Sequence, residues 1–322
     1  MRLCVTGGAG FIGSSLVDAL LARGDDVVAL DNFDDFYPRA VKERNVAAAA
    51  RHPRFVLHEC DVRDGARLAA LLDPDTVVVH LAAKAGVRPS LADPAGYAEV
   101  NVGGTAAVAA AARAAGVRRL VSASSSSVYG DDTPLPCRED APAMTPVSPY
   151  GATKRGAELL LESLAATAGL AVASLRFFTV YGPRQRPDLA IHAFARRIEA
   201  GEPLTLFGDG STERDYTFID DIVAGVMAAI DWTAEAPAGV EHFNLGGGSP
   251  VTLAEMVEAL GAALGAVPRI ERAPMQPGDV LRTAADLTKS RAALGYRPRT
   301  PFAEGIAAFA RWYKEEHAST GH

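Results

Sequence analysis

The sequence predicts an α/β fold, a doubly wound parallel sheet with a smaller C-terminal α/β domain. Five nearly continuous apolar runs alternate with segments of helical period in the first part of the chain, as in Val77–Leu81 and Leu120–Ala123. Strands covered on both faces by helices have this composition. The first run is followed by a string of glycines, Gly7-x-x-Gly10-x-x-Gly13, which opens a helical segment. Strand, glycine turn and helix together predict a Rossmann-type nucleotide-binding unit.

Composition excludes several classes of function. The chain has 322 residues, of which 48% are hydrophobic and 22% are charged, and its net charge is −7. Scattered basic residues on an acidic chain argue against binding to nucleic acid or to an anionic membrane surface, and no apolar run has the length of a membrane span. The start, residues 1–6, reads as a strand and not as a signal peptide. The three cysteines, Cys4, Cys60 and Cys137, lack metal-ligand spacing, which predicts free thiols, no metal site and a cytoplasmic protein.

The first strand–helix–strand unit predicts the cofactor. The glycines permit a tight turn and close approach of a pyrophosphate to the N-terminus of the helix over Ser14–Ala22. The second apolar run, Val27–Leu30, ends at Asp31, where a carboxylate can bind the adenosine ribose hydroxyls. That carboxylate would repel a 2′-phosphate, so we expect NAD and not NADP. The alternative is that Asp31 merely starts a loop.

Ligands of such sheets bind at the carboxyl ends of the strands. A strand over Phe55–Leu57 precedes Asp61, and a long helix is predicted over Pro94–Ala115. The strand Leu120–Ala123 runs into four hydroxyls, Ser124–Ser127. They are either a serine-rich turn, common in loops, or a set of groups that hold a substrate hydroxyl.

Tyr150 and Lys154 are four residues apart at the start of a helical segment, so both side chains lie on one face. A nearby ammonium favours the phenolate and lowers the pKa of a tyrosine, which makes Tyr150 a candidate general base for an alcohol proton. Such pairs are usually surface pairs, and the hypothesis depends on the surrounding motifs.

Together these motifs resemble the extended short-chain dehydrogenase/reductase superfamily, and within it the nucleotide-sugar 4-epimerases. The glycine string, Asp61-Val62, Leu81-Ala82-Ala83, the serine run before Val128-Tyr129-Gly130, and Tyr150-x-x-x-Lys154 occur in the family's order along the whole chain. The resemblance implies a Ser125–Tyr150–Lys154 catalytic set, with Lys154 also holding the nicotinamide ribose. It implies NAD contacts from Gly7, Gly10, Phe11, Ile12, Gly13, Asp31, Asn32, Asp61, Val62, Leu81, Ala82, Ala83, Lys84, Asn101, Tyr150, Lys154 and Phe177.

The segment Arg176–Ala190 and the earlier Lys84–Arg88 look like the UDP-glucuronate 4-epimerase branch, since Thr179 stands where common UDP-glucose epimerases carry asparagine. Hydroxyls of Ser126, Ser127 and Thr179 can hold a carboxylate. Arg186 meets either that carboxylate or the diphosphate. The implied substrate-binding residues are Arg88, Ser125, Ser126, Ser127, Tyr150, Thr179, Arg186, Leu189, Ala190, Phe207, Arg214, Asp279 and Arg282.

Gln276 also departs from many UDP-glucose epimerases, which carry arginine there, and leaves the diphosphate one charge short unless Arg282 substitutes. The domain prediction assigns 1–176, with 216–247 returning to it, to the NAD-binding domain. Residues 177–215 and 248–322 form the nucleotide-sugar domain. The family implies a homodimer through the helices at Pro94–Ala115 and Tyr150–Ala168, although both helices can instead cover the chain's own sheet.

The resemblance implies redox epimerisation of a UDP-sugar at C4, most closely UDP-glucuronate to UDP-galacturonate, through a transient 4-keto sugar. The alternatives are UDP-glucose or UDP-N-acetylhexosamine 4-epimerisation. Related dehydratases carry an Asp–Glu pair in the serine run, and related decarboxylases a glutamate at the position of Ser127. No acid lies in Ser124–Ser127, which disfavours both. A non-catalytic NAD-binding module is also disfavoured, because such relatives usually lose the tyrosine or the lysine.

Overall fold

A seven-stranded parallel sheet forms the centre of the molecule, which we describe from a computed structural model covering residues 1–141, 145–274 and 281–319. Elements are numbered along the chain. The strand order β3-β2-β1-β4-β5-β6-β11 confirms the predicted doubly wound sheet. The strands are β1 (Arg2–Thr6), β2 (Asp26–Asp31), β3 (Phe55–Glu59), β4 (Thr76–His80), β5 (Arg119–Ser125), β6 (Ala171–Phe177) and β11 (Gly239–Leu245).

The helices up to β6 cover both faces of this sheet. Helix α7 begins with the Ser148 hydroxyl at its N-cap and Pro149 in its first turn, and α1 and α7 end at Gly24 and Gly169 with φ of 90° and 68°. The helices that precede β6 are α1 (Phe11–Arg23), α2 (Arg39–Val46), α3 (Gly65–Leu71), α4 (Val87–Ala92), α5 (Pro94–Ala98), α6 (Gly104–Ala114) and α7 (Pro149–Ala168).

The predicted helix over Pro94–Ala115 is interrupted. Residues Glu99–Gly103 form a π-helical turn between α5 and α6, and α4 precedes them as a separate short helix. A π-helical turn contains one residue more than an α-helical turn, and the composition of this alanine-rich stretch gives no sign of that insertion. Single π-helical turns occur frequently at functional sites. The buried residue of this turn is Asn101.

The C-terminal part adds short strand pairs and helices. Strands β7 and β10 are parallel, β9 and β12 antiparallel, and β8 and β13 parallel. The strands are β7 (Thr179–Tyr181), β8 (Leu204–Phe207), β9 (Glu213–Arg214), β10 (Tyr216–Phe218), β12 (Val251–Thr252) and β13 (Ile270–Ala273). The helices are α8 (Ala190–Glu199), α9 (Ile219–Trp232), α10 (Leu253–Leu264), α11 (Thr288–Leu294) and α12 (Phe302–Ser319).

Alternate side chains of each central strand enter two different cores. Leu3 and Val5 of β1 pack on one face of the sheet, and Cys4 packs on the other. Val77 and Val78 of β4 separate in the same way. The near-continuous apolar runs in the sequence follow from this two-sided burial.

The strand order reverses between β1 and β4, which are neighbours in the sheet, so their connections leave on opposite faces and a crevice opens at the carboxyl edge. Within the described ranges, none of the helices has the length and hydropathy needed to cross a bilayer.

Candidate active site

Two adjoining cavities lie at the carboxyl edge of the sheet. The first has a volume of about 470 Å³ and is lined by the glycine turn and by residues that follow β2 to β6. The second, of about 480 Å³, is lined by the segment after β5 and by residues 281–283. Five residues line both cavities and therefore mark their junction: Val87, Ser126, Ser127, Phe178 and Thr179.

The glycine turn shapes the floor of the first cavity. Gly7 has φ of 69°, and a Cβ on it would lie 2.9 Å from the backbone nitrogen of Ala82. Gly10 is the N-cap of α1 and carries no side-chain cap, so the first N–H groups of the helix open toward the cavity. This arrangement fits a dinucleotide, whose pyrophosphate needs a close backbone and a helix N-terminus.

Asp31 is fixed at the end of β2. Its carboxylate accepts hydrogen bonds from the backbone N–H groups of Ala9 (3.2 Å) and Phe33 (2.9 Å), and it pairs with the ammonium of Lys42 at 3.1 Å. The carboxylate is therefore an oriented part of the cavity lining, more than the start of a loop. Sequence reasoning missed Lys42, because no motif connects it with Asp31.

The far end of this cavity is lined by Asn32, Asp61 and Val62. The amide of Asn32 donates to Asp61 at 3.2 Å. Hydrogen bonds from Arg63 lower the pKa of Asp61 to about 2, so the carboxylate is ionised at neutral pH. The other predicted NAD contacts that line the same cavity are Gly13, Phe11, Ile12, Leu81, Ala82, Ala83, Lys84 and Phe177.

Asn101 lies behind this lining. Its side chain accepts from the backbone N–H of Lys84 (2.8 Å) and donates to the Lys84 carbonyl (3.0 Å) and to the Thr153 hydroxyl (3.0 Å). The π-helical turn thus ties the segment after β4 to α7. The predicted direct contact of Asn101 with NAD stays a prediction.

The Ser125, Tyr150 and Lys154 side chains come together at the wall of the first cavity. The Ser125 hydroxyl is close enough to the Tyr150 phenol to lower its pKa. Tyr150 is also held from its other side, since the Ser90 hydroxyl accepts its backbone N–H at 3.1 Å and the Tyr97 ring stands edge-on at 6.3 Å between centroids. Neither Ser90 nor Tyr97 carried a sequence signal.

Burial dominates the electrostatics of this set. It raises the pKa of the Tyr150 phenol, and the Ser125 hydroxyl and the positive charge of Arg186 oppose that rise. Burial also lowers the pKa of the Lys154 ammonium to about 8. Lys154 donates to the carbonyl of Ala123 at 2.9 Å. A lowering of the tyrosine pKa by Lys154 itself stays a prediction.

Arg186 lies where the first cavity approaches Tyr150. Its guanidinium binds both carboxylate oxygens of Asp188, at 2.9 and 2.7 Å, and stands 5.2 Å from the centroid of the Phe36 ring. It also lies 3.5 Å from the carbonyl oxygen of Ala85. Leu189 lines the same cavity, and Ala190 follows as the first residue of α8.

The other predicted substrate contacts fall into two groups. Arg214 and Arg282 line the second cavity, where Arg282 pairs with Glu213 at 2.6 Å. The Arg88 guanidinium stacks on the Phe207 ring at 5.3 Å, and neither residue belongs to the lining of the two cavities. Asp279 and Gln276 lie outside the described residues.

A cluster of Glu158, Glu162 and His242 has the spacing of a metal site. Its buried member, Glu158, already accepts hydrogen bonds from Ser124, Arg155 and Arg176. We assign no metal to this cluster.

The model of the NAD dependent epimerase/dehydratase family matches residues 3–246. A UDP-glucuronate 4-epimerase of Thermodesulfobacterium geofontis is 37% identical over 97% of this chain and 95% of its own length.

Two solved structures resemble the whole chain. The UDP-glucuronic acid 4-epimerase of Bacillus cereus, in complex with UDP-glucuronic acid and NAD, has a TM-score of 0.91 at 34% identity, covering 98% of this chain and 100% of that one. A dTDP-glucose 4,6-dehydratase from Streptomyces venezuelae with NAD bound has a TM-score of 0.91 at 36% identity, covering 99% and 98%. The fold is therefore shared by epimerases and dehydratases, and the chemistry must be argued from the site.

Proposed function

The chain belongs to the NAD-dependent epimerase/dehydratase family, and from that premise we propose that it is an NAD-dependent UDP-sugar 4-epimerase that interconverts UDP-glucuronate and UDP-galacturonate. The relatives that carry this activity in their names match the chain over nearly its full length. The proposal rests on one observation in the site: Ser125, Tyr150 and Lys154 line the first cavity together, beside a junction of two cavities that is lined by hydroxyl and apolar groups.

The first cavity takes NAD, through the glycine turn, Asp31 and the residues after β3 and β4. When bound, NAD supplies a hydride acceptor and returns the hydride to the sugar. The chain's own part is proton transfer and placement. Tyr150 takes the proton of the sugar 4-hydroxyl and gives it back after the sugar has turned, while Ser125 keeps the phenol oriented.

The junction residues decide which sugar reacts cleanly. A 4-keto uronate is a β-keto acid and loses carbon dioxide readily, so an epimerase must hold the carboxylate away from the geometry of cleavage. Ser126, Ser127 and Thr179 line the junction and offer neutral donors to such a carboxylate. Arg186 adds a positive charge near Tyr150, and its contact with the carboxylate or the diphosphate is part of the proposal.

The same residues disfavour dehydration and decarboxylation. Elimination of water needs an acid and a base near C5 and C6 of the sugar, and neither Ser126, Ser127 nor Thr179 ionises at neutral pH. Val87 and Phe178 complete the junction and are apolar.

The proposal extends to the assembly. The outward face of α7 exposes Leu159 at 50%, and Ala152 and Ala166, seven residues before and after it, are exposed on the same face. Such a face suits a second copy of the same helix pair, and we propose a homodimer through α6 and α7.

We also propose that the chain divides into an NAD-binding domain (1–176 with 216–247) and a nucleotide-sugar domain (177–215 with 248–322). Three unpaired, buried cysteines support a cytoplasmic location.

Proton NMR of the enzyme with UDP-glucuronate, and separately with UDP-glucose, tests the substrate. We expect UDP-galacturonate from the first and little turnover of the second. Formation of UDP-galactose from UDP-glucose without turnover of UDP-glucuronate would retain the Tyr150 chemistry but refute the role of the hydroxyl junction.

A further inference from the structure

A buried ion pair lies behind the active site and has no part in the chemistry described so far. The carboxylate of Glu158 on α7 and the guanidinium of Arg176 on β6 have side chains that are each 1% exposed. Arg176 donates to both carboxylate oxygens, at 2.9 and 3.0 Å. Buried ion pairs are often replaceable by apolar side chains without loss of stability, so stability alone is a weak reason for this pair.

Its position relative to the catalytic residues is more informative. Glu158 follows Lys154 by four residues on α7 and therefore lies one turn further along the same face. Two consecutive residues at the end of β5 are hydrogen-bonded to that helix, and the next one acts on its tyrosine. The Ala123 carbonyl accepts from Lys154, the Ser124 hydroxyl donates to Glu158 at 2.6 Å, and the Ser125 hydroxyl lowers the pKa of the Tyr150 phenol.

We propose that Glu158 is a positioning residue for the epimerisation: it is the anion that keeps Lys154 protonated inside the fold and, through Ser124, holds α7 in register with β5. The catalytic role of Lys154 rests on the proposed function, whereas the effect of Glu158 on the protonation of Lys154 does not. Lys154 is 7% exposed, and a buried ammonium without a nearby negative charge loses its proton.

The charges around Lys154 make this role specific. Burial lowers the pKa of Lys154 to about 8, and the negative charge of Glu158 acts in the opposite direction. Arg176 in turn holds the pKa of Glu158 below its usual range, so the carboxylate is present throughout the working pH range. The polar and charged groups around Lys154 and the Glu158–Arg176 pair are Tyr150, Arg155 and Glu162 of α7, Ser124 and Ser125 of β5, His80 of β4, His242 of β11, and Tyr129 and Glu139 of the segment after β5.

Neither histidine can replace Glu158, because an imidazole does not carry a negative charge at neutral pH. His80 is buried and its pKa is lowered to about 3, so it is neutral. Burial also lowers the pKa of His242, whose ring lies 3.6 Å from Glu158. Glu162 is the next acid along the helix, but its side chain is 36% exposed and therefore screened by solvent.

The test measures the titration of Lys154 directly. The sequence contains five lysines (Lys42, Lys84, Lys154, Lys289 and Lys314), so the protein with [ε-¹³C]lysine and bound NAD gives few, assignable NMR signals. Glu158→Gln should lower the pKa of Lys154 by about one pH unit or more. The matched control, Glu162→Gln, removes an acid from the same helix and should leave the pKa unchanged. An unchanged Lys154 titration in folded Glu158→Gln overturns the proposal.

A second variant covers failure of Glu158→Gln to fold, since that change leaves the buried Arg176 unpaired. Glu158→Gln with Arg176→Met removes both charges. Because the negative charge of Glu158 is the one that acts on Lys154, the pKa of Lys154 should fall in the double variant as well. Where turnover is measured, the alkaline limb of kcat should move to lower pH in the same variants and return with Glu158→Asp. No sugar nucleotide enters the NMR titration, so its outcome is independent of the identity of the substrate.

Discussion

Tyr150 is the residue at which burial and charge oppose each other. Burial favours the neutral phenol, and the structure offsets this with the Ser125 hydroxyl and the Arg186 guanidinium. Arg186 therefore has two possible tasks, one on the base and one on the substrate. Both follow from its position between Asp188, Phe36 and the tyrosine.

Replacing Arg186 by glutamine should shift the acid limb of the kcat profile to higher pH. The positive charge of Arg186 holds the pKa of Tyr150 down, so without it the phenolate forms only at higher pH. The pH dependence of kcat measures this. Arg184→Gln is a matched control, because Arg184 pairs with Asp18. An unaltered acid limb in the Arg186 variant would show that its charge does not reach the base.

Thr179→Ala should increase the share of decarboxylated product. The hydroxyl at the cavity junction is proposed to restrain the carboxylate of the 4-keto sugar, and its loss frees the carboxylate to reach the geometry of cleavage. NMR analysis of the nucleotide-sugar products, with Thr179→Ser as the control that keeps the hydroxyl, measures the ratio. A variant that loses activity without forming a UDP-pentose would disprove this role.

Tyr150 and Lys154 could be predicted from the sequence as a candidate catalytic pair. In a helix, residues four positions apart lie on the same face, so their spacing alone places the two side chains together. Glu158 obeys the same spacing, but its partner Arg176 is on another strand, and its importance appears only when burial is known. Lys42 and Tyr97 act on Asp31 and Tyr150 across loops whose course the sequence does not specify.

At the scale of elements, β1, β4 and α6 are joined by one histidine. The ring of His80 lies 2.8 Å from the Thr6 hydroxyl and 3.1 Å from that of Thr105. Thr105 donates to the Asn101 carbonyl at 2.6 Å, so it accepts from His80, and the neutral ring in turn accepts from Thr6. A proton on His80 would break this chain of hydrogen bonds.

His80 should therefore contribute to acid lability. Its pKa falls from 6.5 to about 3 on burial, so between these pH values the unfolded chain binds the extra proton and the free energy of unfolding falls as pH falls. The slope reaches about 1.4 kcal/mol per pH unit. Urea titrations from pH 7 to pH 4 should show a flatter decline for His80→Asn. His58→Asn, on the exposed side of β3, is the control, and equal slopes for His80→Asn and the wild type would contradict the account.

The apolar runs of the sequence predicted the first five strands of the main sheet closely, because these strands are set by local patterns of apolar residues. The π-helical turn at Glu99–Gly103 was not predictable, since its residues, Glu-Val-Asn-Val-Gly, are compatible with an ordinary α-helical turn. The turn depends on the tertiary contacts of Asn101 with Lys84 and Thr153.

At the scale of the whole molecule, the two cavities explain why the chain continues beyond β6. Strands β9 and β10 and residues 281–283 bring Arg214 and Arg282 to the second cavity, opposite the NAD side. The buried carboxylate of Asp215 holds this region together by accepting from the backbone of Gly247 and Ala285, at 2.6 and 2.8 Å. Sequence order alone does not place these distant segments on one cavity.

The proposed assembly gives a test at this scale. Leu159→Arg places a charge on the exposed apolar face of α7 and should reduce the mass in solution to that of one chain, measured by light scattering. Leu91→Arg is the control, because Leu91 is an apolar residue that is 62% exposed on a different helix, α4. A wild-type protein that already has the mass of one chain would rule out the dimer.

The central claim is that the sugar is oxidised and reduced at C4 within one site, and UDP-[4-²H]glucuronate tests it most directly. Mass spectrometry and NMR should show UDP-galacturonate that retains its deuterium at C4, because the hydride removed from one face returns to the other without meeting solvent. UDP-galacturonate that has lost the deuterium to water, or no formation of UDP-galacturonate at all, would contradict the account.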